Sequence, residues 1–302
     1  MLLLSQHVDT YRVTDSTAVC VCLKHPAKRV VCLSASGLDA VLELGLEPVG
    51  GLRAGVAARP EFYGKQSPQW PNVGSWLWPD TKAIQRVHPD LILGWRFPHR
   101  FYRRWLKNIA PVYLMSGSGY EEALLRLLDL AYLTDRTATA ETAIASLEQQ
   151  LHTFQHCLRH QPRKSAIVMG GSAIQRWFDC YPVETRCGTL GSILKRFVSY
   201  PWAKRQPNRG EPGLTYLSLQ RVLDVNPNII FVQSYGRQPL SRQLERNPIW
   251  QQLDAVNKGQ VYEIPLYWHW GNGTRALRVM LHSLLPLIYP HSFASQAEDQ
   301  EL

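Results

Sequence analysis

From Tyr120 to Gln161 the chain contains neither glycine nor proline. These two residues disfavour a helix interior more than any others, so a run this long without them is open to uninterrupted helix. The apolar residues supply a direction. Ala140, Ile144, Leu147, Leu151, Phe154 and Leu158 recur at alternating spacings of four and three, which places them on one helical face. Upstream, Leu124, Leu127, Leu128, Ala131 and Tyr132 repeat the pattern. Thr134-Asp135, between the two sets, reads as an N-cap, so two consecutive helices and one kinked rod both fit. At about 1.5 Å per residue the second segment reaches roughly 35 Å, the width of a small domain. Segments that read as α/β lie on either side, so the stretch is expected to form a spine between two lobes. A helical hairpin inside one domain is the alternative.

The flanking segments carry the α/β pattern. Residues 8–23 alternate weakly and read as a hairpin. Arg29-Val30-Val31-Cys32-Leu33 is a continuous apolar run, expected of a strand buried on both faces. A helical face (Leu38, Val41, Leu42, Leu44) and a second strand over Pro48–Leu52 complete a β-α-β unit, which builds parallel sheets. Further strands are expected at Asp90–Gly94 and Ala110–Leu114. Beyond the spine, Ala166–Met169, Asn228–Val232 and Gln260–Ile264 read as strands. Helices are expected over Gly188–Val198, Leu217–Val225 and Thr274–Leu287, and Pro201–Pro212 reads as a polar, basic loop. The predicted organisation is an N-terminal α/β lobe over 1–119, a helical spine over 120–161, a C-terminal α/β lobe over 162–290 and a polar, unstructured tail over 291–302.

A chain of 302 residues can give each of two such lobes a proper core. Its formal charge of +9 suits an anionic small ligand, nucleic acid or an acidic surface. No Lys/Arg block long enough for a nucleic-acid arm stands out, and no zinc or RNA-binding signature is present, which argues against nucleic acid. None of the six cysteines lies in a C-x-x-C pair. Cys20 and Cys22 share a strand face, a spacing unsuited to a mutual disulfide. Cys180 and Cys187 flank a short loop and would bridge only in an oxidising compartment; buried free thiols are the plainer reading. No segment reads as a transmembrane span. Met1-Leu2-Leu3-Leu4 turns polar too soon for a signal peptide's apolar core, so either the chain as written stays in the cytoplasm or its true start lies upstream.

Catalytic signatures are missing as well: there is no G-x-S-x-G elbow, P-loop, H-E-x-x-H or dinucleotide fingerprint. No metal-ligand set or cofactor is expected. Gly170-Gly171-Ser172 is read as an ordinary strand-to-helix turn. His269, between two tryptophans, is read as a polar cap on an aromatic loop, with haem ligation as the alternative. What recurs instead is an aromatic-plus-arginine composition at strand ends, in a chain with ten tryptophans and thirteen tyrosines. Trp76, Trp78, Trp95 and Arg96 supply it in the first half, with Arg53 as a further cation. Trp177, Tyr235, Arg237, Trp268 and Trp270 supply it in the second. Strand ends of an open α/β sheet are where ligands bind. Aromatic faces give contact area at small entropic cost, and arginine offers a forked donor to carboxylate or hydroxamate oxygens. These are candidate residues for gripping a bulky, partly anionic small molecule.

The order of segments resembles the substrate-binding proteins of ABC importers for ferric siderophores, cobalamin and haem. The resemblance runs from about Lys28 to Pro290. It is carried by Lys28–Leu33 with Leu44–Gly50, by Asn72-Val73-Gly74 with His88–Ile92, by Asn226–Val232, and by Asn247–Trp250 with Gly259–Tyr262. It implies two α/β lobes with mostly parallel sheets, joined by a rigid long helix, with a monomeric protein holding a metal chelate in a cleft that closes little. Ile109-Ala110-Pro111 and Trp268-His269-Trp270-Gly271 look most like the ferric-hydroxamate and iron-siderophore branch, where residues matching Trp268 and Trp270 and the Gly74–Pro79 loop line the cleft. Hydroxamate-binding members carry an arginine about where Trp76 stands, so Arg96 or Arg53 would supply the charge. Trp76 also resembles a tryptophan of cobalamin-binding members, which keeps a corrinoid as the alternative ligand. A third reading is a metal-cluster enzyme subunit on a similar scaffold, which would want cysteines at lobe edges rather than inside predicted elements. The resemblance implies an ABC permease partner and a periplasmic or surface-anchored setting. Lys82 and Gln220, however, stand where the family commonly has acidic residues that pair with permease arginines, which raises the alternative of a cytoplasmic binding protein that keeps the fold but does not feed a conventional permease.

Overall fold

The computed structural model describes residues 10–64, 69–202 and 213–297. The expected loop over Pro201–Pro212 and the apolar N-terminal tetrapeptide therefore fall mainly outside the described residues. The chain divides into two compact units. The first holds residues 1–116, 122–146 and 273–275, and the second holds 117–121, 147–272 and 276–302. No described helix is long and apolar enough to cross a membrane.

In the first unit, strands β1 (Tyr11–Thr14) and β2 (Cys20–Leu23) pair as an antiparallel hairpin. A four-stranded sheet follows, built from β3 (Val30–Cys32), β4 (Gly50–Gly51), β5 (Leu91–Trp95) and β6 (Val112–Met115) in the order β4-β3-β5-β6, all parallel. Its core gathers Val31, Leu33, Val73, Ile84, Ile92, Leu106 and Leu114. The continuous apolar runs are explained by burial of the strands on both faces. The hairpin is pinned by buried Asp15, whose carboxylate accepts from Thr17 N–H (2.8 Å), Val19 N–H (3.2 Å) and Leu114 N–H (3.1 Å) and pairs with Arg103. Burial pushes this carboxyl up, but those hydrogen bonds outweigh it and hold the group below its ordinary value.

The second unit has a five-stranded sheet of β7 (Ala166–Gly171), β8 (Tyr181–Glu184), β9 (Leu214–Leu217), β10 (Ile229–Ser234) and β11 (Val261–Glu263), in the order β11-β10-β7-β8-β9. β11, β10 and β7 are parallel, whereas β8 and β9 add on antiparallel. Neither β8 nor β9 is expected from the sequence. β8 contains Pro182, which cannot donate to a ladder, and it meets β7 at the single position Met169↔Val183. The pattern assigns no element to Leu214–Tyr216 of β9, and the helix expected from Leu217 begins at Leu219. The predicted Gly188–Val198 helix shrinks to Gly191–Leu194.

Two helices fill the glycine-free stretch, Tyr120–Leu133 and Thr137–Cys157. The break between them is a C-cap of the first helix rather than the expected N-cap of the second. Asp135 is left-handed (φ 55), Arg136 N–H donates to Ala131 O (2.7 Å), and Asp135 N–H reaches Tyr132 O (3.4 Å). That pair of bonds is the Schellman arrangement, which satisfies carbonyls the helix end would otherwise orphan. In the second helix the expected face holds: Ala140, Leu147, Leu151 and Phe154 are buried. In the first it is turned by about one residue. Ala123, Arg126, Leu127, Leu130 and Ala131 face inward, leaving Leu128 and Tyr132 exposed. Arg126 lies on this inward face. It is buried, donates to Ser116 O (2.9 Å) and lies 5.4 Å from the Trp95 ring. In the expected unstructured tail over 291–302, Pro290–Ala297 is instead a helix whose Phe293 is buried 5.7 Å from the Phe154 ring, and residues 298–302 lie outside the described residues.

Candidate functional site

Parallel strands end on the same edge of their sheet, so the loops that follow them are brought together without any sequence proximity. In the first unit Arg53 follows β4, and Trp95 and Arg96 close and follow β5. The loop carrying Trp76 and Trp78 is bridged shut by pairing of Gly74 with Pro79. Ser75 and Trp78 exchange backbone hydrogen bonds (3.0 and 3.2 Å), and Ser75 Oγ accepts from Trp78 N–H (3.1 Å). Gly74 has φ +107, and a Cβ there would lie 2.5 Å from the Trp78 carbonyl oxygen, so the turn requires glycine. This tight loop holds its tryptophans outward, with Trp78 71% exposed.

Trp76 is joined edge-to-face to Phe97 (6.2 Å between ring centroids), and Phe97 to Phe101 (6.1 Å). Arg100 caps the Phe101 ring at 4.6 Å, and Arg104 the Trp105 ring at 3.8 Å. The result is an exposed aromatic row flanked by guanidinium groups. Phe97 and Phe101 are the members that sequence reasoning misses. Arg96 is exposed, and Arg53 spends its Nε on Trp70 O (3.0 Å). Trp95 is half-buried, and beneath it lies His99, fully buried. His99 Nδ1 accepts from Trp95 N–H (2.8 Å), while its Nε2 faces the backbone of Trp76 without a partner at full hydrogen-bond geometry. Burial lowers this imidazole to about 4, so it is neutral at pH 7, the form whose Nδ1 can accept from Trp95 N–H.

In the second unit the helix Ala173–Phe178 follows β7, opened by a capping box between Ser172 and Gln175. None of its residues is buried. Ile174, Trp177 and Phe178, at spacings of three and one, turn an apolar face outward, with Trp177 82% exposed. That spacing in a sequence reads as an inward face, which is why Ile174 and Phe178 were not expected here. Tyr235 follows β10 and lies across Gly170, where a Cβ would meet its hydroxyl at 2.8 Å. The loop that carries exposed Tyr235 and Arg237 is tied down by Glu263, which accepts from Ser234 Oγ (2.6 Å), Ser241 N–H (3.1 Å) and Ser241 Oγ (2.5 Å).

The aromatic loop after β11 is a short 3-10 turn, Leu266–Trp270. Trp270 is 46% exposed, whereas Trp268 is 7% exposed and its buried indole N–H has no partner among the described residues. His269 is turned inward, with Nδ1 3.7 Å from Oε1 of buried Glu184. Its carbonyl accepts from Thr189 Oγ1 (2.8 Å), and Glu184 Oε2 accepts from Leu190 and Gly191 N–H (2.7 and 2.9 Å). The polar-cap reading of His269 fits this geometry better than an outward metal ligand. Taken unit by unit, Trp76 and Trp78 share an aromatic, cationic surface with Arg96, and the second unit presents Trp177, Tyr235, Arg237 and Trp270.

These surfaces can grip a flat or polyanionic molecule; nothing in them assembles a nucleophile with a base. The chain is 27% identical over 266 residues to the Fe(3+) dicitrate-binding periplasmic protein FecB of Escherichia coli (strain K12), spanning 87% of this chain and 85% of that one. It is 25% identical over 238 residues to the Fe(3+)-citrate-binding protein YfmC of Bacillus subtilis (strain 168), spanning 78% and 72%. Its fold matches that of Staphylococcus aureus SirA, solved with staphyloferrin B, at a TM-score of 0.73 and 19% identity over 92% of this chain and 98% of that one. The family model described as periplasmic binding protein matches residues 30–267, from the first strand of the parallel sheet to the aromatic loop. The α/β fold, the strand-end aromatics and this match agree: the chain belongs to the periplasmic binding protein family, whose business is binding rather than catalysis.

Proposed function

We propose that this protein binds a ferric chelate of the siderophore or iron–citrate class and presents it to an ABC importer. The observation that carries the reading is the recurrence of exposed tryptophans beside arginines on the strand-end loops of both units. Arginine offers bidentate donors to carboxylate, hydroxamate or catecholate oxygens, and the indole rings cover the apolar parts of the ligand. Trp76, Trp78, Trp95, Arg96, Trp177, Tyr235, Arg237, Trp268 and Trp270 are proposed to contribute to binding.

The test is tryptophan-fluorescence quenching with ferric dicitrate, a ferric hydroxamate, a ferric catecholate, haemin and cobalamin. Saturable quenching by one of the ferric chelates at micromolar concentration is expected, weakened at least about tenfold by Trp177→Ala or Trp270→Ala. Quenching by none of them refutes the reading, and quenching by cobalamin alone moves it to a corrinoid. For the importer, exposed Lys82 and Gln220 cannot pair with permease arginines. Docking is therefore proposed to rest on other contacts. A Lys82→Glu/Gln220→Glu variant that gains no permease affinity would count against this electrostatic explanation.

A further inference from the structure

Cys20 and Cys22 lie two residues apart on β2, so both side chains leave the same face of the strand. Both are exposed, while Val21 and Leu23 between and beyond them point inward. Their Sγ atoms are 3.2 Å apart. Across the hairpin, Arg12 stands opposite Cys22 and Thr14 opposite Cys20. Such a pair can close into a disulfide or hold a cation, and strand geometry separates the two. Same-face neighbours on a strand are about 6.6 Å apart, whereas a disulfide draws its Cβ atoms to roughly 3.5–4.5 Å. Closure would buckle β2 out of its register with β1. A cation has the opposite requirement. Two thiolate–metal bonds of about 2.3 Å set the sulfurs up to ~4.6 Å apart, which side-chain rotation reaches while the backbone stays in place.

Coordination number narrows the cation. Among the described residues no third His, Cys, Asp or Glu joins a metal-binding group, so the four-ligand sphere that zinc prefers is not supplied. Thiolates select soft ions, and Cu(I) is satisfied by two of them. We propose that Cys20 and Cys22 form a two-coordinate dithiolate site for Cu(I), separate from the aromatic surfaces. Both thiols lose their protons to solvent, two S–Cu bonds form, and copper keeps its oxidation state. The resulting unit carries one negative charge, which faces the Arg12 guanidinium. Binding displaces both thiol protons, so affinity rises with pH.

The experiment is an anaerobic Cu(I) titration against bicinchoninate. It uses the full chain carrying Cys157→Ser, Cys180→Ser and Cys187→Ser, which silences the other exposed thiols. This background is expected to withdraw one equivalent of Cu(I). Adding Cys20→Ser or Cys22→Ser should weaken the competition at least about tenfold, because the second thiolate binds at high effective concentration. Far-UV circular dichroism confirms that each variant is folded. Equal competition by the background and both single-serine variants overturns the proposal. Ready conversion of the pair by glutathione disulfide to an internal disulfide, seen as a loss of about 2 Da, overturns it in favour of a redox pair.

Discussion

Acidification should destabilise the first unit through one side chain, His99. The imidazole is fully buried and held at about 4 against an ordinary 6.5, chiefly by burial. The unfolded chain therefore takes up the proton near the ordinary value, and the native state only near the lowered one. Across that window the unfolded state binds more protons, so stability falls as pH falls. The contribution is complete above the unfolded value and gone below the folded one. Each pH unit inside the window is worth about 1.4 kcal/mol. Integrated, the loss is about 2 kcal/mol between roughly pH 7.5 and pH 5, reaching about 3 kcal/mol near pH 4. The assay is urea unfolding of the wild type and His99→Asn at the two upper pH values, read by tryptophan fluorescence. Asparagine keeps an acceptor for Trp95 N–H but does not titrate, so carboxylate effects common to both proteins cancel. The wild type should lose about 2 kcal/mol more than the variant over the interval. Equal losses would refute the assignment.

Two further outcomes are expected. Gly74→Ala forces a Cβ against the Trp78 carbonyl at φ +107, so it should cost about 1–3 kcal/mol in local strain. It should also lower chelate affinity, measured by quenching, while leaving the second unit's unfolding unchanged. Asp15→Asn removes the charge paired with Arg103 and should destabilise the first unit by about 3–5 kcal/mol at neutral pH. The deficit should shrink as pH falls and the wild-type carboxylate itself protonates, since its folded value lies below the ordinary one. A deficit constant with pH, followed by thermal unfolding, would contradict that sign.

Strand-end aromatics such as Trp78 and Trp177 are legible as candidates because a surplus of large rings at strand-to-helix turns is a compositional signal. Their roles are not. Trp268 and Trp270 sit two positions apart with the same chemistry, yet one is buried and the other open. The Ile174, Trp177, Phe178 spacing marks an amphipathic helix but not which side of it meets the core. β8 was invisible because Pro182 and buried Glu184 contradict strand statistics; Pro182 pairs with Tyr216 of β9, and Glu184 is met by the N–H groups of Leu190 and Gly191.

The sequence by itself determined the periodic elements: the glycine-free helical stretch, the buried apolar strands and the β-α-β order that makes a parallel sheet. These follow from local sterics and from hydrophobic spacing, which are written within one or two turns of chain. Only the tertiary structure decided which polar groups lie inside. Arg126, His99 and Asp15 are tolerated in the core because Ser116, Trp95, Leu114 and Arg103 meet them there. A buried polar group is stable only when its partner is placed to pair with it; Trp95 is one turn from His99 in the chain, whereas Leu114 and Arg103 reach Asp15 from a distant part of it. The Schellman turn at Asp135 belongs with them: Thr134-Asp135 signalled a helix end, and the backbone bonds from Asp135 to Tyr132 and from Arg136 to Ala131 decided which helix it closed.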